Sequence, residues 1–122
     1  MPNFERGDIV RVPFAYTDRE TRQYRPALVV SIGGLGETES LLWVVMITSA
    51  KNRPWPGDVS LGDDYAEFGL PAPSVIRPTR IATIEIRQAD RIGRLDQPRL
   101  AKVEEALGRQ PGLRLVREAG GA

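Results

Sequence analysis

The sequence predicts a mostly β fold, a small barrel of five to seven strands with one C-terminal helix. Three observations carry that prediction. Short β-branched and aromatic runs recur between residues 8 and 94, segments rich in Gly and Pro separate them, and a helical period appears only after residue 95. With 122 residues the chain has the length of one domain, taken as 1–122 with its core over about 6–108. A domain of that size buries roughly two-thirds of its unfolded surface.

The elements follow in order. "DIVRVPFAY" alternates Val10, Val12 and Phe14 against Ile9, Arg11 and Pro13, the period of a strand; Pro13 cannot donate to a ladder and marks an edge or a bulge. "TDRETRQY" is polar and reads as a loop. "PALVVSI" and "LLWVVMIT" are near-continuous apolar runs, the central strands, and "GGLGETES" between them suits a hairpin turn. From Ser49 to Pro73 the sequence loosens, with only "DVSL" resembling a strand; connections of that length in compact domains are commonly functional. "SVIRPTRIATIEI" resumes order but is interrupted by Pro78, and "DRIGRL" follows. In "DQPRLAKVEEALGRQ", Asp96 is an N-cap, Pro98 fits the first turn, Leu100, Val103 and Leu107 share a face, and Gly108 ends the helix. The tail holds at most another helical turn, with 119–122 frayed. Short twisted strands with one terminal helix fit an SH3-like barrel, whose closure would remove exposed edges.

Composition narrows the chemistry. The chain is 41% hydrophobic and 27% charged, and no apolar run approaches the roughly 18 residues of a membrane helix. No apolar leader is present at the N-terminus and there is no cysteine, so a cytoplasmic protein without membrane association is expected. The absence of His and Cys removes the commonest general base, the thiolate nucleophile and most transition-metal ligand sets; no cofactor is expected. Net charge is +1, yet Lys51 and Lys102 are the only lysines and 15 of the 17 cationic residues are arginine. That bias fits either GC-rich codon usage or phosphate recognition, for which guanidinium forks are suited. A nucleic-acid site in so neutral a chain would be a local patch.

Five blocks, "RGDIVRVPFAYTD", "RPALVVS", "ITSA", "GLPAPSVIRPTRIATIE" and "IGRLDQPRLAKVEEAL", resemble in order and spacing those of the MazF/PemK family, toxins of type II toxin–antitoxin systems. The resemblance implies an SH3-like barrel forming a homodimer and cleaving single-stranded RNA at short sequences without a metal. The implied reaction is attack of a ribose 2′-hydroxyl on the adjacent phosphorus, leaving a cyclic phosphate and a 5′-hydroxyl. It also implies a small acidic antitoxin covering the same groove, with DNA binding by the joint complex.

By the same resemblance Arg25 and Thr48 are catalytic, and Arg77 matches an active-site arginine of the PemK-like branch. Pro26 biases Arg25 toward extended backbone, where a fixed guanidinium can stabilise developing phosphorane charge. Thr48 would orient a phosphate oxygen or the 2′-hydroxyl; on spacing alone, Arg25 also reads as a solvated strand end and Thr48 as an ordinary β-former. The branch's basic aspartate, two residues after Arg77, is replaced by Thr79, whose hydroxyl is no base near neutral pH. Asp18, Glu20 and Glu85 are the acidic alternatives, each also readable as a solvated surface charge. Ser49, Lys51, Arg53, Thr79 and Arg80 are expected on the RNA, and Trp55 either stacks on a base or lids the loop between Pro54 and Pro56. Thr79 also admits a different function, a catalytically weakened barrel that binds RNA or antitoxin without cleavage.

Overall fold

A computed structural model describes residues 4–15, 22–31 and 34–108. Along the chain these form β1 (Asp8–Ala15), β2 (Arg22–Val29), β3 (Leu41–Ser49), β4 (Val59–Ser60), a 3-10 segment (Gly62–Phe68), β5 (Ser74–Glu85), a single 3-10 turn (Ile86–Gln88), β6 (Asp90–Arg94) and α1 (Gln97–Gly108). The strands make one antiparallel sheet in the order β4-β5-β3-β2-β1-β6, curled into a half-barrel. Among the described residues no helix is long and apolar enough to cross a membrane.

Both faces of the sheet bury apolar side chains, which is why "LLWVVMI" shows a continuous run rather than alternation. One face gathers Ile9, Leu28, Val45, Ile47 and Ile76 with Leu100 and Val103 of α1 and Phe68 of the 3-10 segment. The other gathers Val10, Val12, Ala27, Val29, Leu42, Val44 and Ile84 with Phe4 and Ala89. The helix begins as expected: Arg99 donates its backbone N–H to the Asp96 carboxylate at 3.3 Å, and Leu100, Val103 and Ala106 are buried. Leu107 packs more loosely against the first cluster. The side chain of Phe14 and the C-terminal tail lie outside the described residues.

The two edges, β4 and β6, are covered rather than joined to one another. The 3-10 segment fills the gap and meets β6 backbone to backbone: a Cβ at Gly69 would lie 2.1 Å from the Ile92 carbonyl oxygen, and one at Gly93 would lie 2.2 Å from that of Phe68. Across the β1–β6 pairing, the buried Asp8 carboxylate accepts hydrogen bonds from Arg91 and Arg94 at 2.8 Å each and from the Glu5 backbone N–H at 2.9 Å.

Three elements differ from expectation. β2 begins at Arg22 inside the polar stretch, because its backbone pairs with Phe14 and Ala15 of β1 whatever the polarity of its side chains. β5 continues through Pro78; the register with β3 shifts between Val45 and Met46, and the resulting bulge takes the missing N–H of Pro78 out of the ladder. The loose stretch after Ser49 contains the 3-10 segment, anchored by the buried Leu61 and Phe68, as well as the short β4. At Pro13 β1 faces β2 alone, since its pairing with β6 stops at Arg11, as an edge proline requires.

Candidate functional site

Three sequence candidates share one face of the sheet at its polar end. Arg25 pairs with Val12, and the β2–β3 register runs from Val29↔Val44 to Ala27↔Met46, where the ladder stops. Pro26 has no N–H to extend it. Continuing that register sets Arg25 opposite Thr48, and the alternation that points Val29 and Val44 into the second core points both residues to that same side. Arg77 stands opposite Met46 on β5, and Val75 opposite Thr48. The apolar core of this face thus gives way, toward the end of β3, to Arg25, Thr48 and Arg77.

Thr48 is half-buried, and its Oγ1 accepts a hydrogen bond from Asn52 Nδ2 at 2.6 Å. A turn closed by the Asn52 N–H on the Ser49 carbonyl at 3.0 Å brings that amide back over the strand end. One of the two acceptor positions of Oγ1 is thereby used, and its O–H remains a donor.

Arg77 is 5% exposed. Its Nε and Nη2 each donate to Asp58, to Oδ1 and Oδ2 at 3.0 Å, and Nη2 also donates to the Arg53 carbonyl at 2.9 Å. The guanidinium carbon lies 4.3 Å from the centroid of the Trp55 ring, and that of Arg80 lies 5.9 Å from it. The loop folds this way because of Trp55-Pro56-Gly57-Asp58: Pro56 and Gly57 hold the second and third places of a turn, Gly57 has φ +87°, and the Asp58 N–H reaches the Trp55 carbonyl at 3.2 Å. In return, the Trp55 N–H donates to Asp58 Oδ2 at 2.9 Å.

Burial alone would raise the Asp58 pKa, but the Arg77 hydrogen bonds, the Trp55 N–H and the Arg77 charge together lower it below its ordinary 3.8. A carboxyl depressed in the folded state stabilises that state above its unfolded pKa and loses the contribution as pH falls through the folded value. Acid titration is therefore expected to loosen the 53–58 loop below about pH 4, seen as a change in tryptophan emission that Asp58→Asn lacks. Removing either partner of so buried a pair strands a charge and costs about 3–5 kcal/mol.

Among the other candidates, Ser49, Lys51, Arg53, Thr79 and Arg80 are exposed around this end, and Trp55 is 40% exposed. Glu85 pairs with Leu41, seven residues along β3 from Thr48 and so roughly 23 Å away, and is bonded to Arg87; it stands apart from the cluster. Asp18 and Glu20 lie outside the described residues. Asn52 and Asp58 were not legible as site residues, although the Pro56-Gly57 pair signals a turn that returns residue 58 over residue 55. Among the described residues no three acidic side chains gather as a metal site.

Residues 5–110 match the model of the PemK-like, MazF-like toxins of type II toxin–antitoxin systems. No curated protein matches the chain. Among solved structures, a MazF from Deinococcus radiodurans superposes with TM-score 0.73 at 22% identity, over 92% of this chain and 99% of that one. A MazE–MazF complex from the same organism gives 0.70 at 23%, covering 93% and 99%. A mycobacterial endoribonuclease in complex with its cognate antitoxin gives 0.66 at 21%, covering 89% and 95%. These likenesses carry the fold.

Proposed function

The chain belongs to the PemK-like, MazF-like family of type II toxins, and from that premise we propose that it is a metal-independent endoribonuclease acting on single-stranded RNA. The observation that supports this most directly is the gathering of Arg25, Thr48 and Arg77 on one sheet face where the β2–β3 ladder ends. In the proposed reaction the ribose 2′-oxygen attacks the adjacent phosphorus as it loses its proton, the bond from phosphorus to the 5′-oxygen breaks, the departing 5′-oxygen takes a proton from water, and a cyclic phosphate and a 5′-hydroxyl result. Arg25 stabilises the negative charge that accumulates on the non-bridging oxygens, and Thr48, whose Oγ1 accepts from Asn52, donates its O–H to one of them.

The 2′-hydroxyl proton needs an acceptor. Asp58 is occupied by three hydrogen bonds and held as a weak base, and Glu85 stands at the far end of β3. That leaves the acidic pair Asp18 and Glu20, in the connection leading into β2, as the acceptors offered for this step. Ser49, Lys51, Arg53, Thr79 and Arg80 hold the RNA backbone, and Trp55 meets a base.

The likeness to toxins solved with their antitoxins supports an antitoxin as partner; in this reading the antitoxin is small and acidic and the toxin a cytoplasmic homodimer, as the family resemblance implies. One observation favours a second reading, a barrel that binds RNA or antitoxin without cutting: Thr79, where the branch carries its acid, is exposed on the β5 bulge and cannot act as a base. Incubating the purified protein with a long RNA and a chelator separates the two. Fragments bearing 5′-hydroxyls and cyclic phosphates are expected; RNA intact after hours supports the binding module instead.

A further inference from the structure

Asp58 has no part in the reaction as written above, yet Arg77 and the Trp55 loop converge on its carboxylate. Oδ1 takes Nε of Arg77, and Oδ2 takes both Nη2 of Arg77 and the Trp55 backbone N–H. A guanidinium is planar, so fixing Nε and Nη2 on one carboxylate also fixes where Nη1 points. Nη1 makes no hydrogen bond among the described residues, and none of their buried side-chain nitrogens or oxygens lacks a partner. The small exposure of Arg77, 7% of its side chain, is therefore available at that corner. Its flat face is covered by the Trp55 ring, whose own exposure leaves indole surface for a base.

We propose that Asp58 is the positioning residue of this site: it aims Nη1 of Arg77 toward the phosphate of a bound single-stranded RNA and fixes the pose in which Trp55 receives a base. The inference rests on the ribonuclease reading for its substrate. It gives Asp58 the orienting part of an acid without the proton transfer, in keeping with a carboxylate that spends three of its roughly four acceptor positions on Arg77 and the Trp55 N–H. Because Asp58 acts through Arg77, their contributions to cleavage are coupled rather than additive.

The test is a double-mutant cycle in the full chain, with Asp58→Asn, Arg77→Met and the pair, each in a Trp43→Phe background so that Trp55 is the sole indole. Folding is checked by circular dichroism, and Arg77→Lys, which keeps the charge but lacks the fork, stands in should Asp58→Asn fail to fold. Each single change is expected to raise KM, lower kcat by about tenfold or more and scatter the cut positions. The double variant is expected to be no worse than the poorer single. Quenching of Trp55 by 2′-deoxy oligonucleotides, which bind but cannot be cut, is expected to lose its base preference in Asp58→Asn. Additive losses, or variants that match the parent in KM, cut positions and quenching, overturn the proposal. So does an Asp58→Asn variant with normal KM, no turnover and a vanished acid limb in its pH profile, since Asp58 would then take the proton itself. A parent chain that quenches but does not cut refutes the ribonuclease reading alone; a parent that does neither overturns both.

Discussion

Arg25→Ala is expected to slow RNA cleavage by about 10²–10³-fold, the usual consequence of removing one preorganised donor from a transition state that gathers negative charge. Under the proposed mechanism the loss falls on kcat, because there Arg25 meets more charge in the phosphorane-like state than in the bound RNA. Arg25→Lys should recover only part of the rate, since an ammonium keeps the charge but not the planar fork. Single-turnover cleavage of a long RNA with chelator present measures this, and expression in cells gives a second readout: growth arrest by the parent and none by Arg25→Ala. An alanine variant that cuts within a few-fold of the parent would remove Arg25 from the mechanism. Cleavage absent in both proteins would move the chain to the non-catalytic reading.

Gly69→Ala is expected to be the most damaging small change to the fold. The added methyl carbon would sit 2.1 Å from the Ile92 carbonyl oxygen, and the residue holds φ +81°. A left-handed alanine costs about 1–2 kcal/mol, and a backbone oxygen held in β6 by its pairing with β1 cannot swing aside as a side chain could, so overpacking adds about 1–3 more. A sum of about 2–5 kcal/mol is a large share of the roughly 5–15 kcal/mol that holds a domain together. Gly57→Ala isolates the backbone term: φ is +87°, but the new methyl meets only the Ala106 side chain at 4.0 Å. It should lose about 1–2 kcal/mol. Urea denaturation of the two variants measures the contrast, and equal losses would contradict the close approach of the 3-10 segment to β6.

The strands were legible because burial imposes a period or a run, and Asp96 because a cap needs a particular oxygen in a particular place. The start of β2 was not, since Arg22 enters the ladder through backbone pairing that polarity does not report. The segment Gly62–Phe68 was hidden for a related reason: its two buried anchors, Leu61 and Phe68, are too far apart to show a repeat. Among the candidate site residues, Arg25 and Thr48 stand out only through the family blocks, as neither residue type in isolation distinguishes a catalytic group from a strand end. Arg77 was visible, but its commitment to Asp58 depends on a contact between residues on different elements, β5 and the loop before β4. What local sequence could have offered was the Pro56-Gly57 turn, which returns the carboxylate to the indole that precedes it.

The pairing of β1 with β6 joins Asp8 to Arg94, nearly the whole length of the described chain. Such a contact forms late, because the loop between its ends must be closed before it stabilises anything. A polypeptide emerging from the ribosome therefore holds β1 with one side unpaired until β6 has been made, and the Asp8 carboxylate stays without its two arginines for the same interval. The sheet that carries Arg25, Thr48 and Arg77 is a product of the completed chain, so an interrupted translation yields fragments in which that cluster lacks its finished scaffold.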